Sequence, residues 1–178
     1  MICPKCKDST LQPTKLEASL PAMGCPKCDG ALLSLLYYRD WIERTQPEAL
    51  ENPVDASTTA ENDTKTALSC AKCSRLMTKY SVSGTLGNRI DLCSSCDDAW
   101  LDGGEWQLLK SLELANQLPS VFTDTWQRTV RNEKVEIGRI DRLKNIVGED
   151  DANKAVELKK WLTDKEHKAT ILHFLGTD

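Results

Sequence analysis

The chain lacks most of what an enzyme or a membrane protein needs. Its only histidines, His167 and His173, lie six residues apart, a spacing that does not stack them on one helix face as an i, i+4 pair would. They read as solvated helix residues. There is no glycine-rich phosphate loop and no nucleophile with a matching base, so no reaction is legible and a non-enzymatic role is expected. The longest apolar run, Ala31 to Tyr38, is broken by Ser34 and is far short of the roughly 20 residues a membrane span requires. The opening Met1-Ile2-Cys3-Pro4-Lys5-Cys6 shows no charged and apolar leader pattern, which leads us to expect a soluble, cytoplasmic protein.

What the chain does have is cysteine. Eight of its 178 residues are cysteines, arranged as four C-x-x-C pairs: Cys3 and Cys6, Cys25 and Cys28, Cys70 and Cys73, Cys93 and Cys96. The pairs form two copies of one pattern, with 18 residues between pairs in the first copy and 19 in the second. A C-x-x-C turn brings two thiolates onto one soft cation, and a second pair about twenty residues on completes a tetrahedron. Two Zn²⁺ per chain are therefore expected, held by Cys3, Cys6, Cys25 and Cys28 and by Cys70, Cys73, Cys93 and Cys96.

Other uses of the cysteines fit less well. Disulfides call for an oxidising compartment, and nothing in the sequence directs the chain to one. Catalytic zinc keeps an open position, whereas four thiolates close the shell. Iron in a rubredoxin-like site suits the same donors and is the main rival metal. Dithiol redox chemistry would need a βαβ setting that the pattern does not offer.

The formal charge of −4 counts every cysteine as a neutral thiol. Each zinc tetrathiolate carries about −2, so the loaded protein stands near −8. That weighs against sequence-independent nucleic-acid binding, which is driven by positive charge.

The likeness of the two copies continues past the last ligand, with Cys28-Asp29-Gly30-Ala31-Leu32-Leu33 against Cys96-Asp97-Asp98-Ala99-Trp100-Leu101. In the second copy, strands over 78–82 and 89–92 flank the turn 83–88. A helix should follow each copy: Leu35, Leu36, Tyr38, Trp41 and Ile42 supply the apolar residues of the first, and Trp106, Leu109 and Leu112 those of the second, behind an Asp102/Glu105 N-terminal cap. A module of roughly 40 residues cannot stabilise itself by burial alone, so metal should supply much of its folding free energy.

The expected fold is small α+β, with two zinc ribbons and a C-terminal helical hairpin or bundle. Its divisions would be 1–45, a first ribbon and helix; 46–66, a flexible acidic linker; 67–118, a second ribbon and helix; and 119–178, helices. The linker carries Pro47, Pro53 and five acids against one base, and a flexible chain of that length spans roughly 25 Å. The ribbons are then expected to move independently. The tail pattern predicts helices over about 122–147, ending at Gly148, over 152–162, and from a Thr163-x-x-Glu166 capping box to just before Gly176.

The run Cys93-Ser94-Ser95-Cys96-Asp97-Asp98-Ala99-Trp100-Leu101-Asp102-Gly103-Gly104-Glu105 resembles the prokaryotic TFIIB-type zinc-ribbon family, the transcription-factor zinc fingers. In that family two cysteine pairs precede a Trp-Leu-Asp-x-Gly-Glu signature, and the resemblance covers Cys70 to about Leu112. It implies that Cys70, Cys73, Cys93 and Cys96 bind zinc, and it links the chain to transcription. Asp98 stands where the family usually has glycine, and Ala71 where it often has proline; neither change removes a ligand. The N-terminal copy keeps Pro4, Pro26 and Gly30 but has Leu32 to Tyr37 in place of the signature, and looks like a diverged ribbon of the same kind.

Remaining features weigh toward interaction. Asp97, Asp98, Asp102 and Glu105 read as helix capping by the last two, with the first two exposed. Trp100 and Trp106 read as packing residues, while Tyr37, Tyr38 and Trp41 are dense enough to suggest a partner surface. A helical wheel over 126–147 separates an apolar face (Trp126, Val130, Ile137, Ile140, Val147) from a stripe of Arg128, Arg131, Arg139 and Arg142. The expected function is a zinc-ribbon adaptor that binds a protein partner, with nucleic acid as the alternative partner and no small-molecule substrate or membrane.

Overall fold

The computed structural model describes residues 1–45 and 63–177. It divides into two compact units, Met1–Arg131 and Asn132–Asp178. Most of the segment read as a linker, 46–62, lies outside the described residues.

The first unit is built on a six-stranded antiparallel sheet. In chain order the strands are β1 (Gln12–Glu17), β2 (Leu20–Gly24), β3 (Ala31–Ser34), β4 (Thr78–Ser81), β5 (Arg89–Cys93) and β6 (Asp98–Leu101), and across the sheet they run β1-β2-β3-β6-β5-β4. The first ribbon supplies one half and the second ribbon the other, joined where β3 pairs with β6. The two ribbons therefore do not move as independent modules. Each third strand is apolar at every position but its end (Ala31-Leu32-Leu33, Ala99-Trp100-Leu101), and two such strands pair in preference to facing water as open edges.

The join is close to symmetric. At the repeat offset of 68, Leu32 and Trp100 are equivalent residues, and they are register partners; Ala31 pairs with Leu101 while its equivalent Ala99 pairs with Leu33. The duplicated sequence thus forms a pseudo-twofold pair of ribbons within one chain, the arrangement an isologous dimer interface would have.

Alternation along the strands sorts side chains onto two faces. Ala99, Leu101, Leu33 and Ile90 enter one apolar cluster, while Trp100, Leu32 and Cys93 enter the other, which also holds Cys3, Cys25 and Cys70. Helices pack on the first face: α1 (Leu35–Arg44), α2 (Glu105–Ser111), α3 (Leu118–Val121) and the start of α4 (Asp124–Val147). The aromatic set expected as a partner surface is mostly core. Tyr38 and Trp41 are buried, with the Tyr38 hydroxyl donating to the Ala115 carbonyl (3.0 Å) and accepting from the Leu118 amide (3.1 Å). Trp41 packs edge-on against Trp106, and only Tyr37 is exposed. A single ribbon could not cover these rings; the joined pair and its following helices can.

α4 starts after Thr123, whose hydroxyl accepts the Trp126 amide as an N-cap. It is fastened to the sheet edge by two side chains. Trp126 Nε1 donates to the Val82 carbonyl, and the Gln127 side-chain amide accepts from the Ser81 amide and donates to the Ser81 carbonyl, occupying part of the free edge of β4.

The second unit holds the rest of α4, α5 (Glu149–Thr163) and α6 (Lys168–Leu175). Gly148 terminates α4 with φ 86°, a conformation suited to glycine. Thr163 is the last residue of α5, with its hydroxyl donating back to the Lys159 carbonyl, so it does not cap a following helix; α6 begins at Lys168 instead.

Candidate metal centres

Each C-x-x-C pair forms the same tight turn. In all four, the amide of the residue after the second cysteine donates to the carbonyl of the first: Lys7 to Cys3, Asp29 to Cys25, Ser74 to Cys70 and Asp97 to Cys93, at 2.9–3.0 Å. Those four residues all have positive φ, between 55° and 63°. A left-handed backbone costs a non-glycine residue about 1 kcal/mol or more, and aspartate tolerates it best. Four strained turns at equivalent positions are consistent with an assembly whose energy comes from what the turns enclose.

The enclosed groups are the eight sulfurs, in two sets: Cys3, Cys6, Cys25, Cys28 and Cys70, Cys73, Cys93, Cys96, with all Sγ atoms of a set within 4.8 Å of one another. Individual separations are 3.7 Å for Cys3 and Cys28, 3.9 Å for Cys6 and Cys25, and 3.6 Å for Cys73 and Cys93. A zinc–sulfur bond of about 2.3 Å in a tetrahedron places sulfurs about 3.8 Å apart. The spacing is thus that of a tetrathiolate shell and is well beyond a disulfide bond, and the eight cysteines are free thiols. The crowded thiols differ in how readily they ionise. The Arg75 backbone amide beside Cys73 lowers its thiol to about 7, while hydrogen bonding with Cys73 raises Cys96 to about 12. A divalent metal resolves that competition by taking all four as thiolates. The two sets fit two zinc ions.

Trp100 is fully buried in the cluster that contains cysteines of both sets. Its ring lies over Gly30, where a Cβ would come within 2.4 Å of Trp100 Cζ2. The indole Nε1 donates to Asp102 Oδ1 (3.0 Å), which also receives Lys5 Nζ from the first metal loop (3.1 Å), while Asp102 Oδ2 receives the Thr64 amide (2.6 Å). Gly103 passes so near the Cys28 carbonyl that a Cβ would meet it at 2.9 Å. The Trp-Leu-Asp-Gly-Gly-Glu run of the second ribbon is therefore the surface on which the first metal loop rests.

The acidic residues have different roles from those expected. Asp102 does not cap α2 with its side chain. Glu105 does half of the expected box, its Oε2 accepting the Asp102 amide at 2.8 Å. Buried beside Asp102, Glu105 is raised well above the ordinary carboxyl range by loss of hydration. Asp98 is not exposed; it is buried, with Lys72 Nζ 2.8 Å from its carboxylate. Asp97 is half in solvent and binds Arg39 of α1 through both carboxylate oxygens.

These partners had a sequence signal that pattern reading passed over. Three of the four pairs read C-x-Lys-C, and each lysine meets an acid: Lys5 with Asp102, Lys27 with Asp8, Lys72 with Asp98. By the repeat, Lys72 should meet Ser34, the equivalent of Asp102; it meets Asp98, the register partner of Ser34 across the join. His167 and His173 belong to the second unit, and neither is among the residues of the two metal-ligand sets. Arg128, Arg131, Arg139 and Arg142 are all exposed.

The family model described as transcription factor zinc-finger, a TFIIB-type zinc ribbon, matches residues 2–44. The match falls on the copy without the tryptophan signature and takes in the whole first cysteine set, which is similar to that of a TFIIB-type zinc ribbon. The second set, with the same turns and the same sulfur spacing, is consistent with a second ribbon. No curated protein and no solved structure gives a significant match.

Proposed function

We propose that the chain is a non-enzymatic, transcription-associated adaptor of the cytoplasm, in which a metal-stapled pair of ribbons carries a helical unit that binds a protein partner. The observation that carries this reading is the second unit. Of its apolar side chains only Ala152 and Leu162 are fully buried, while Val135, Ile146, Leu158, Trp161, Phe174 and Leu175 stand in solvent. So much exposed apolar surface on helices marks an interaction site more often than an ordinary surface. Closed four-thiolate shells support the non-enzymatic part, because they leave no coordination position for a substrate.

Nucleic acid is the second reading, favoured by the ribbon type and by four exposed arginines on α4, whose planar forks suit phosphates. The two readings separate on one experiment. Zinc-loaded protein is used to capture partners from its own cell extract, alongside a Leu158→Ser, Trp161→Ser, Phe174→Ser variant. The adaptor reading expects a stoichiometric protein that the variant loses, with capture insensitive to nuclease. Capture abolished by nuclease or falling steeply with salt, and unaffected by the three substitutions, would favour nucleic acid and defeat it.

A further inference from the structure

The eight cysteine residues are not equally exposed. Cys3, Cys25, Cys70 and Cys93 are buried and Cys6, Cys28 and Cys96 half-buried, but Cys73 is exposed. Its counterpart Cys6 is half-buried, beside the buried Pro4. In the second ribbon the whole run from Lys72 to Leu76 is exposed. The buried Cys93 sulfur lies 3.6 Å from that of Cys73.

We propose that Cys73 is an oxidation site, at which a peroxide discharges the second metal centre before any cysteine of the first is attacked. The Cys73 thiolate attacks one peroxide oxygen; the O–O bond breaks, Cys73 becomes a sulfenic acid and the other oxygen leaves as hydroxide. The Cys93 thiolate then attacks the Cys73 sulfur, forming the S–S bond and expelling a second hydroxide. Two thiolates have lost two electrons, the peroxide has gained them and leaves as two waters after taking up two protons, and the metal is left with two thiolates in place of four. The short Cys73–Cys93 separation means that little movement is needed to reach a disulfide. The second ribbon would in this way release its metal, and its hold on the first metal loop, in response to oxidant.

The test uses the zinc-loaded full chain, hydrogen peroxide and a chromophoric zinc chelator, with aliquots alkylated and each cysteine followed by peptide mass spectrometry. Expected is a Cys73–Cys93 disulfide, or Cys73 sulfenic acid trapped by dimedone, accumulating about five-fold or more ahead of modification at Cys3, Cys6, Cys25 or Cys28. Equal rates, first-ribbon cysteines reacting earlier, or zinc release without Cys73 modification would overturn the proposal. Cys73→His keeps a ligand and removes the reactive sulfur, so zinc release should slow about ten-fold; an unchanged rate counts against it. Should that variant fail to load, the order of modification in the unaltered chain decides alone.

Discussion

Gly30 and Trp100 belong to different ribbons and occupy each other's space: the tryptophan ring fills the volume that any side chain at Gly30 would need, 2.4 Å from where its Cβ would be. Trp100 is buried within the cluster that contains cysteines of both centres, so this contact ties the two metal centres to one core. Gly30→Ala must displace the buried Trp100 indole, at a cost of about 1–3 kcal/mol. Trp100→Ala should cost about 3–5 kcal/mol. Denaturant unfolding of the zinc-saturated protein measures both, and a Gly30→Ala variant as stable as the parent would show that the contact can relax.

Asp102 joins the ribbons by charge. Asp102→Asn keeps an acceptor for Trp100 Nε1 but removes the charge that Lys5 meets and turns an NH2 toward the Thr64 amide, with a loss of about 1–3 kcal/mol. If Lys5 is the partner that matters, Asp102→Asn made in a Lys5→Met background should cost clearly less. Equal costs in the two backgrounds would mean that the ion pair contributes nothing.

Burial raises the Glu105 carboxyl well above its ordinary value of 4.5, so the folded chain holds a proton at a pH where the unfolded chain has released it. Its contribution to stability is full below the unfolded value and falls as pH rises toward the folded one. Glu105→Gln keeps an oxygen for the Asp102 amide and removes the titration. Stability of the zinc-saturated variant should therefore decline less than that of the parent as pH rises above the ordinary value of 4.5. Parallel curves would place the proton elsewhere.

Gln127→Ala removes the two side-chain bonds that hold α4 to the edge of β4. Each is worth about 1 kcal/mol net. Amide exchange at Ser81 and through the first turn of α4 should quicken selectively, while the eight cysteines keep their metal. Exchange that rises uniformly across the sheet would contradict a local role.

Much of the local structure was legible because it obeys short-range rules. The C-x-x-C spacing named the eight cysteines that the fold gathers into two sets, and alternation with a polar turn located β4 and β5 to within a residue. Gly148 marked the end of α4. What the sequence hid was long-range. The pairing of β3 with β6 depends on residues 68 apart meeting across a symmetry axis, and each strand alone reads only as a short apolar run. Tyr38 and Trp41 looked like too many aromatics for one ribbon because their cover, Ala115, Leu118 and Trp106, comes from the other half of the sequence. Asp102 and Asp98 looked like caps or surface because the lysines that fix them lie in metal loops 97 and 26 residues away in sequence.

The central claim is that the two metal centres belong to one cooperative body. Replacing Cys70 and Cys73 by serine and counting zinc by elemental analysis, with the fold followed by near-ultraviolet circular dichroism of the tryptophans, tests it most directly. Loss of the second centre should unseat Trp100 and with it the platform under the first metal loop, so the variant should retain well under one zinc per chain and lose its tryptophan signal. One full equivalent of zinc bound by an intact first ribbon would contradict the account.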